Sequence, residues 1–541
     1  MTIAQNPVLG GFYPDPSICR VGTDYYLVNS SFAYAPGVPV FHSRDLAHWE
    51  QIGNVLERDS QLRLDGQEIS RGIFAPTIRY HEGVYYVITT NVSYGGTFVV
   101  TATDPAGPWS DPMELGDGAA GIDPSLFFDD DGRCYYVGTR PNPQGTVYDG
   151  DWEIWLQELD LEHMRLTGES MAIWKGAAKH AIWPEGPHLY KKDGYYYLLI
   201  AEGGTELEHS ICMARSRELF AWYEGCTRNP VFTHRHLGHD YPVICAGHGD
   251  LVDDENGSWY IVMLASRASH RHCSLGRETY LARVVWEDGW PVVNPGVGVL
   301  EQRVQIPLPE YRFAQEVNGD IRLDFANAES DDRLDPRLVS MICRDEGMYS
   351  LTQRPGWLRL YTAAGDITQT QPCAYLGVRQ SSYDCTVRCR MEFCPQSEHE
   401  TAGLVLYQNH ENHLRIELGI EPGIGNGIDT GGSDICGNAS RALCVTEHIC
   451  GIDHVAAVYP LQTDGAVELM LTLHDQKGAV SVTEDGVQIQ VAQDLDLMPY
   501  TTEAAGGFVG CTIGMYASGH GTDRDNHADI AWFTYKKDSG H

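Results

Sequence analysis

The sequence predicts an all-β chain, with a five-bladed β-propeller over residues 1–305, a linker over 306–320 and a β-sandwich over 321–541. Three observations carry this. A two-part phrase recurs five times in the first 300 residues. The second half is a series of short alternating runs parted by turns. Apolar residues make up 43% of the chain and aromatics 10%, so 541 residues can fill more than one core, since single cores stop growing near roughly 250–300 residues.

The phrase is a short turn, an apolar residue, and then a Tyr-rich run after a second turn. Its copies are Asp15-Pro16-Ser17-Ile18 with Tyr25-Tyr26-Leu27-Val28, Ala75-Pro76-Thr77-Ile78 with Tyr85-Tyr86-Val87-Ile88, and Asp123-Pro124-Ser125-Leu126 with Tyr135-Tyr136-Val137. Glu185-Gly186-Pro187-His188-Leu189 with Tyr195-Tyr196-Tyr197 and Gly247-His248-Gly249-Asp250-Leu251 with Trp259-Tyr260-Ile261 complete the set. Gly22, Gly83, Gly132, Gly194 and Gly257 sit in the linking turns, so each copy reads as a β-hairpin. A further strand often ends in an acidic turn and a Trp, as at Trp49, Trp109 and Trp222. Copies lie 60, 48, 62 and 63 residues apart, the spacing of propeller blades with about four strands each.

Residues 291–320 hold Pro291, Pro295, Pro307 and Pro309 with little periodicity, and lead into the linker. The sandwich strands then run through Leu358–Tyr361, Asp384–Met391, Gly403–Tyr407, Leu414–Leu418, Val467–Leu473, Phe508–Tyr516 and Ala528–Tyr535.

In a propeller, equivalent positions of successive blades converge on the axis. Here they are Asp15, Ala75, Asp123, Glu185 and His248, so three carboxyls and an imidazole are predicted to meet. Two carboxyls facing each other across a narrow channel suit glycoside hydrolysis with inversion, where one protonates the departing oxygen and the other activates water. A third can raise the acid's pKa and hold sugar hydroxyls. Glu185 follows Trp183-Pro184 and reads as the buried general acid. Asp15, in a polar turn, reads as the ionised general base, and Asp123 as the pKa modulator and orienter.

The net charge of −36 repels polyanions, which argues against nucleic acid and anionic membrane as partners. No run of 18 apolar residues marks a membrane span. The fifteen cysteines form no CxxC pair, and with no leader-like start they lead us to expect reduced thiols in a cytoplasmic protein. Asp129-Asp130-Asp131-Gly132 and Asp253-Asp254-Glu255-Asn256-Gly257 read as hairpin turns, and His234-Arg235-His236-Leu237-Gly238-His239 as a polar loop.

The segments Tyr13-Pro14-Asp15-Pro16-Ser17, Gly121-Ile122-Asp123-Pro124-Ser125, Trp183-Pro184-Glu185-Gly186-Pro187, Ala246-Gly247-His248-Gly249-Asp250 and Leu275-Gly276-Arg277-Glu278-Thr279 resemble those of glycoside hydrolase family 43. The resemblance covers about residues 6–300 and implies the same three roles for Asp15, Asp123 and Glu185. It further implies substrate contacts at Phe32, Phe74, Thr205, His248 and Arg277, and a calcium ion or water held beside His248. The second half resembles the concanavalin-like domain of the β-xylosidase and α-L-arabinofuranosidase branch. There Gly506-Gly507-Phe508-Val509-Gly510 is similar to the segment that puts a Phe over the pocket rim.

From this resemblance we expect exo-acting release of β-D-xylose from xylo-oligosaccharides or arabinoxylo-oligosaccharides, with α-L-arabinofuranose as a second product. The reverse ranking of the two pentoses stays open, because Phe74 stands where the branch typically has Trp. A non-catalytic sugar-binding propeller is the competing class. The resemblance also leads us to expect a homo-oligomer, a dimer or a tetramer.

Overall fold

Alternation of apolar and polar residues along the Tyr-rich runs gives each strand two faces to bury, and the strands meet as five antiparallel sheets. The computed structural model describes residues 1–327, 333–420, 441–522 and 526–538. Blade 1 is Ser17–Val21, Asp24–Val28, Gly37–Ser43 and Glu50–Leu56. Blade 2 is Thr77–His81, Val84–Asn91, Gly96–Ala102 and Met113–Glu114. Blade 3 is Ile122–Phe128, Cys134–Pro141, Trp152–Asp160 and Arg165–Trp174.

Blade 4 is Glu185–Lys192, Tyr195–Glu202, Ser210–Ser216 and Glu224–Gly225, with Phe232–Thr233 added beside its third strand. Blade 5 is Val243–Asp253, Trp259–Arg267, Glu278–Glu287 and Trp290–Val293.

Apolar side chains of neighbouring blades fill the seams between them. Val28 and Val40 meet Val87 and Phe98 between blades 1 and 2. Ile88 meets Tyr136 and Trp155 in the next seam. Leu156 meets Leu198 and Cys212, and Leu199 and Met213 meet Ile261 and Met263. Val262 and Leu281 of blade 5 close the ring on Leu27 and Phe41 of blade 1. Closure also uses hydrogen bonds. Thr2–Gln5 pairs antiparallel with Arg303–Ile306, and the Leu9 and Thr279 backbones exchange hydrogen bonds at 3.2 Å.

Trp49 and Trp109 are buried, as an acidic turn folded back on its blade requires, whereas Trp222 is 58% exposed. The stretch after 291 is more ordered than its prolines suggest. The Tyr311 amide donates to Asp45, the Val317 amide to the Trp49 carbonyl, and the Asn318 amide group to the Pro7 and Val8 carbonyls.

Two compact units result. One holds Met1–Leu64, Arg71–Arg271 and Gly276–Asn318; the other holds Asp65–Ser70, His272–Leu275 and Gly319–His541. In the second unit a six-stranded sheet runs Ala374–Arg379, Thr512–Ser518, Thr401–Asn409, Asn412–Ile420, Arg441–Ile449, Ile452–Pro460. The other sheet is built on His527–Lys537, Cys385–Glu392, Val467–His474 and Lys477–Glu484. Leu404, Leu414, Ile416 and Leu443 face Val387, Leu469, Leu471 and Val480 in one shared core. The strand expected from Phe508 starts instead at Thr512. Gly506 and Gly507 take positive φ, which puts Phe508 in a bend, 43% exposed and outside the core.

Candidate active site

The inner strands of blades 1, 3 and 5 deliver their axial residues from a kinked start. Asp15, Asp123 and His248 have φ of 51°, 49° and 41°, a left-handed conformation that non-glycine residues adopt at a cost of about 1–3 kcal/mol. Register breaks follow in blades 3, 4 and 5, at Ile122/Ser125, Glu185/His188 and Gly247/Gly249. Such bulges re-aim a side chain away from the ladder. Blade-to-blade hydrogen bonds hold the kinks. Thr77 Oγ1 donates to the Pro124 carbonyl at 2.9 Å, Thr139 Oγ1 to the Pro184 carbonyl at 2.5 Å, and the Gly186 amide to Asp123 Oδ2 at 3.2 Å.

Asp15 is 5% exposed and held on both oxygens. Ser30 Oγ donates to Oδ2 at 2.5 Å and Arg277 Nη1 to Oδ1 at 2.7 Å, while His248 Nδ1 lies 3.9 Å from Oδ1. Burial alone would raise its pKa, but the Arg277 and His248 charges and the Ser30 hydrogen bond outweigh burial and hold it below the ordinary Asp value. Asp123 moves the other way. Burial, with Asp15 adding repulsion, pushes it up to about 6 against the pull of His248. Glu185 is raised well above the usual carboxylate range, first by burial and then by the Asp123 and Asp15 charges, with Arg277 opposing. The three carboxyls therefore share one field, and the protein biases them to different proton states.

The surrounding walls are aromatic and basic. Phe32 stands 5.2 Å from Phe74 and 5.7 Å from Phe12, ring centre to ring centre. The Arg277 guanidinium lies 5.6 Å from the Phe32 ring and donates to Thr205 Oγ1 at 3.2 Å. Four of the residues expected at the sugar, Phe32, Thr205, His248 and Arg277, thus gather around Asp15, with the Phe74 ring tilted against Phe32 at 49°. Phe508 belongs to the second unit, where its amide donates to Ser70 Oγ at 2.9 Å.

Sequence reasoning missed two contributors. Ser30 follows the second strand of blade 1, with no local signal of its role. His209 is buried, with its pKa lowered to about 3 by burial. Its Nδ1 donates to the Cys245 carbonyl at 3.0 Å, so Nε2 carries the lone pair. Gly247 makes room for that ring: a Cβ there would come within 2.4 Å of it.

The residues at His248 do not fit a tightly held calcium ion, which takes 6–8 oxygens. Of the carboxylates near the ring, Asp15 is committed to Arg277 and Ser30, and Asp123 accepts from the Gly186 amide. Among the described residues no group of three or more His, Cys, Asp or Glu is arranged around a metal position. The His234 segment is a short 3₁₀ turn whose His234 Nδ1 donates to the Val243 carbonyl at 2.7 Å. Both Asp-rich runs are hairpin turns, closed by Gly132 on Asp129 and Gly257 on Asp254. Among the described residues no helix is long and apolar enough to cross a membrane.

Comparison with known proteins matches residues 4–291 to the family model described as glycosyl hydrolases family 43, and residues 329–536 to the β-xylosidase C-terminal concanavalin A-like domain. The chain is 56% identical over 538 residues to a xylosidase/arabinosidase of Butyrivibrio fibrisolvens, covering 99% of this chain and 100% of that one. It is 36% identical to the non-reducing end α-L-arabinofuranosidase BoGH43B of Bacteroides ovatus, over 98% and 94% of the two chains. The crystal structure of a xylan β-1,4-xylosidase from Bacillus halodurans superposes with a TM-score of 0.89 at 34% identity, covering 99% and 100%.

Proposed function

This chain belongs to glycoside hydrolase family 43, and from that premise we propose that it is an exo-acting, inverting hydrolase that releases β-D-xylose from xylo-oligosaccharide ends, with α-L-arabinofuranose as a second product. One observation carries the mechanism: two carboxyls on one axis are biased to opposite proton states. Asp15, held ionised by Arg277 and Ser30, takes a proton from water as that water attacks the anomeric carbon. Glu185, kept protonated by burial and by Asp123, gives its proton to the glycosidic oxygen as the C–O bond breaks. Asp123 orients Glu185 and the sugar and raises the acid's pKa. Phe32 and Phe74 give the ring an apolar wall, and Arg277 and Thr205 give its hydroxyls a donor and an acceptor. His248 faces the same carboxylate.

Relatives support both pentoses. The Butyrivibrio protein is named for xylose and arabinose together, and the Bacteroides name specifies arabinofuranose and the non-reducing end. Phe74 in place of a larger ring leaves a wider subsite wall, which favours keeping arabinose as the second product. Assay with nitrophenyl β-D-xyloside and nitrophenyl α-L-arabinofuranoside ranks the two, and a strong preference for the arabinoside reverses the order. Proton NMR of the first-formed pentose is expected to show inversion; retention rejects the water-mediated scheme.

A further inference from the structure

One rung below the three carboxyls lies a second polar tier that the reaction scheme leaves unused. Its members follow the axial residues on the same inner strands: Ser17 after Asp15, Arg79 after Ala75, His188 after Glu185 and Asp250 after His248. At about 3.3 Å per residue this sets them some 7–13 Å farther along the axis. Arg79 Nη1 donates to Asp250 Oδ2 at 2.8 Å and Nη2 to Asp250 Oδ1 at 3.2 Å. Nη2 also donates to His188 Nδ1 at 2.9 Å, and Nη1 to Ser17 Oγ at 3.2 Å.

Asp250 further accepts from Ser17 Oγ at 2.8 Å, the Ile18 amide at 3.1 Å and Tyr190 Oη at 2.5 Å. Blades 1, 2, 4 and 5 are therefore joined through one carboxylate and one guanidinium. Arg79 keeps 16% of its side chain in solvent while Asp250 keeps none and His188 3%, so Arg79 stands between water and the interior of the channel.

We propose that Arg79 is a positioning residue for the hydrolysis, closing the axial channel behind Glu185 and Asp123 and fixing the blade spacing that their separation depends on. The proposal rests on the hydrolase reading above. It explains a costly feature, since a buried ion pair gains little in net stability but a fully bonded one fixes a unique arrangement. Arginine can only donate, so His188 Nδ1 accepts and its proton sits on Nε2. Burial keeps that ring neutral, pushing its pKa down to about 3.

Glu185 is faced by Asp123, Asp15 and Arg277. The His248 ring packs on Gly186 next to it, and His188 follows on its own strand. Opening the channel from behind would hydrate Glu185 while leaving the Asp123, Asp15 and Arg277 charges in place.

The experiment uses Arg79→Met and Tyr190→Phe in the full chain. Arg79→Met is expected to lower kcat about tenfold to a hundredfold with KM little changed, and to move the basic limb of the pH profile to lower pH. Arg79→Lys keeps the charge but not the fork and is expected to recover part of the loss. Tyr190→Phe, which removes one hydroxyl from Asp250, is expected to shift the limb the same way by less. It decides alone if Arg79→Met does not fold. Unmoved limbs and kcat per folded molecule, with only a lower melting temperature, would make the network a plain strut and overturn the proposal. Carboxyl NMR of ¹³C-labelled Glu185, assigned with Glu185→Gln, follows the same proton without turnover. A wild-type chain that cleaves no pentoside sinks the hydrolase reading, whereas a Glu185 titration unmoved by both variants sinks this one.

Discussion

Asp15 and Glu185 are both carboxyls at the start of an inner strand, yet their pKa values move in opposite directions. The difference is partners. Two donors bond Asp15 directly, one of them a permanent cation, and that outweighs burial. Glu185 has burial and two neighbouring carboxylates against it, with only Arg277 in its favour. A base that must be ionised with a lowered pKa, and an acid that must be protonated with a raised one, give a bell-shaped kcat/KM profile. Its acidic limb falls below, and its basic limb above, the ordinary carboxylate values.

Asp123→Asn removes the nearest like charge from Glu185. The basic limb is then expected to move to lower pH, with kcat falling about tenfold or more. A pH–rate profile of the variant checks this, and an unmoved basic limb would deny Asp123 its modulating part. The three acids were legible in the sequence because they share one repeat phase. Ser30 and His209 were not, because neither lies on a repeated inner strand; Arg79 lies on one, four residues after Ala75, but its partner Asp250 is 171 residues away in the chain.

At the scale of the strand, sequence legibility follows length. The hairpins showed themselves because two strands of five to eleven residues, joined by a Gly turn, give enough alternation to be seen. Outer strands such as Met113–Glu114 and Glu224–Gly225 have two residues each, too few for any period. Pro291 lies inside the Trp290–Val293 edge strand, where its missing N–H costs no ladder bond. The site depends on one strand detail above others. Gly186 takes φ of 56° immediately after the acid, and a Cβ there would lie 2.9 Å from the His248 ring. Gly186→Ala is therefore strained twice, by backbone and by contact. It is expected to lower kcat about tenfold or more while the melting temperature falls by only a few degrees, because the seams on either side of blade 4 are untouched. Parallel kinetics and calorimetry separate the two effects; a matched loss of folded protein and activity would mean that the glycine serves the blade rather than the site.

Across the molecule, a propeller solves a problem that the acids pose. Carboxyls that repel one another must be held together away from water, and the stability for that comes from five apolar seams between the blades. The sequence displayed the seams through its repeat, whereas the axial polar tier became visible only when the blades were brought into a ring. The strain on the site then has a thermodynamic signature. Glu185 has a folded pKa raised well above its ordinary 4.5.

The folded state therefore binds more protons than the unfolded chain between those two values, and stability falls as pH rises through that window. The cost is absent below pH of about 4 and fully present above the folded pKa. Glu185→Gln removes it, so the variant, though inactive on unactivated oligosaccharides, is expected to be the more stable protein near neutrality. Its propeller transition should melt about 2 °C or more above wild type, and the gap should close as the pH is lowered toward 4.5. Scanning calorimetry over that range tests the sign directly. A variant less stable than wild type at neutral pH would mean that the Glu185 carboxyl supports the fold rather than drawing on it.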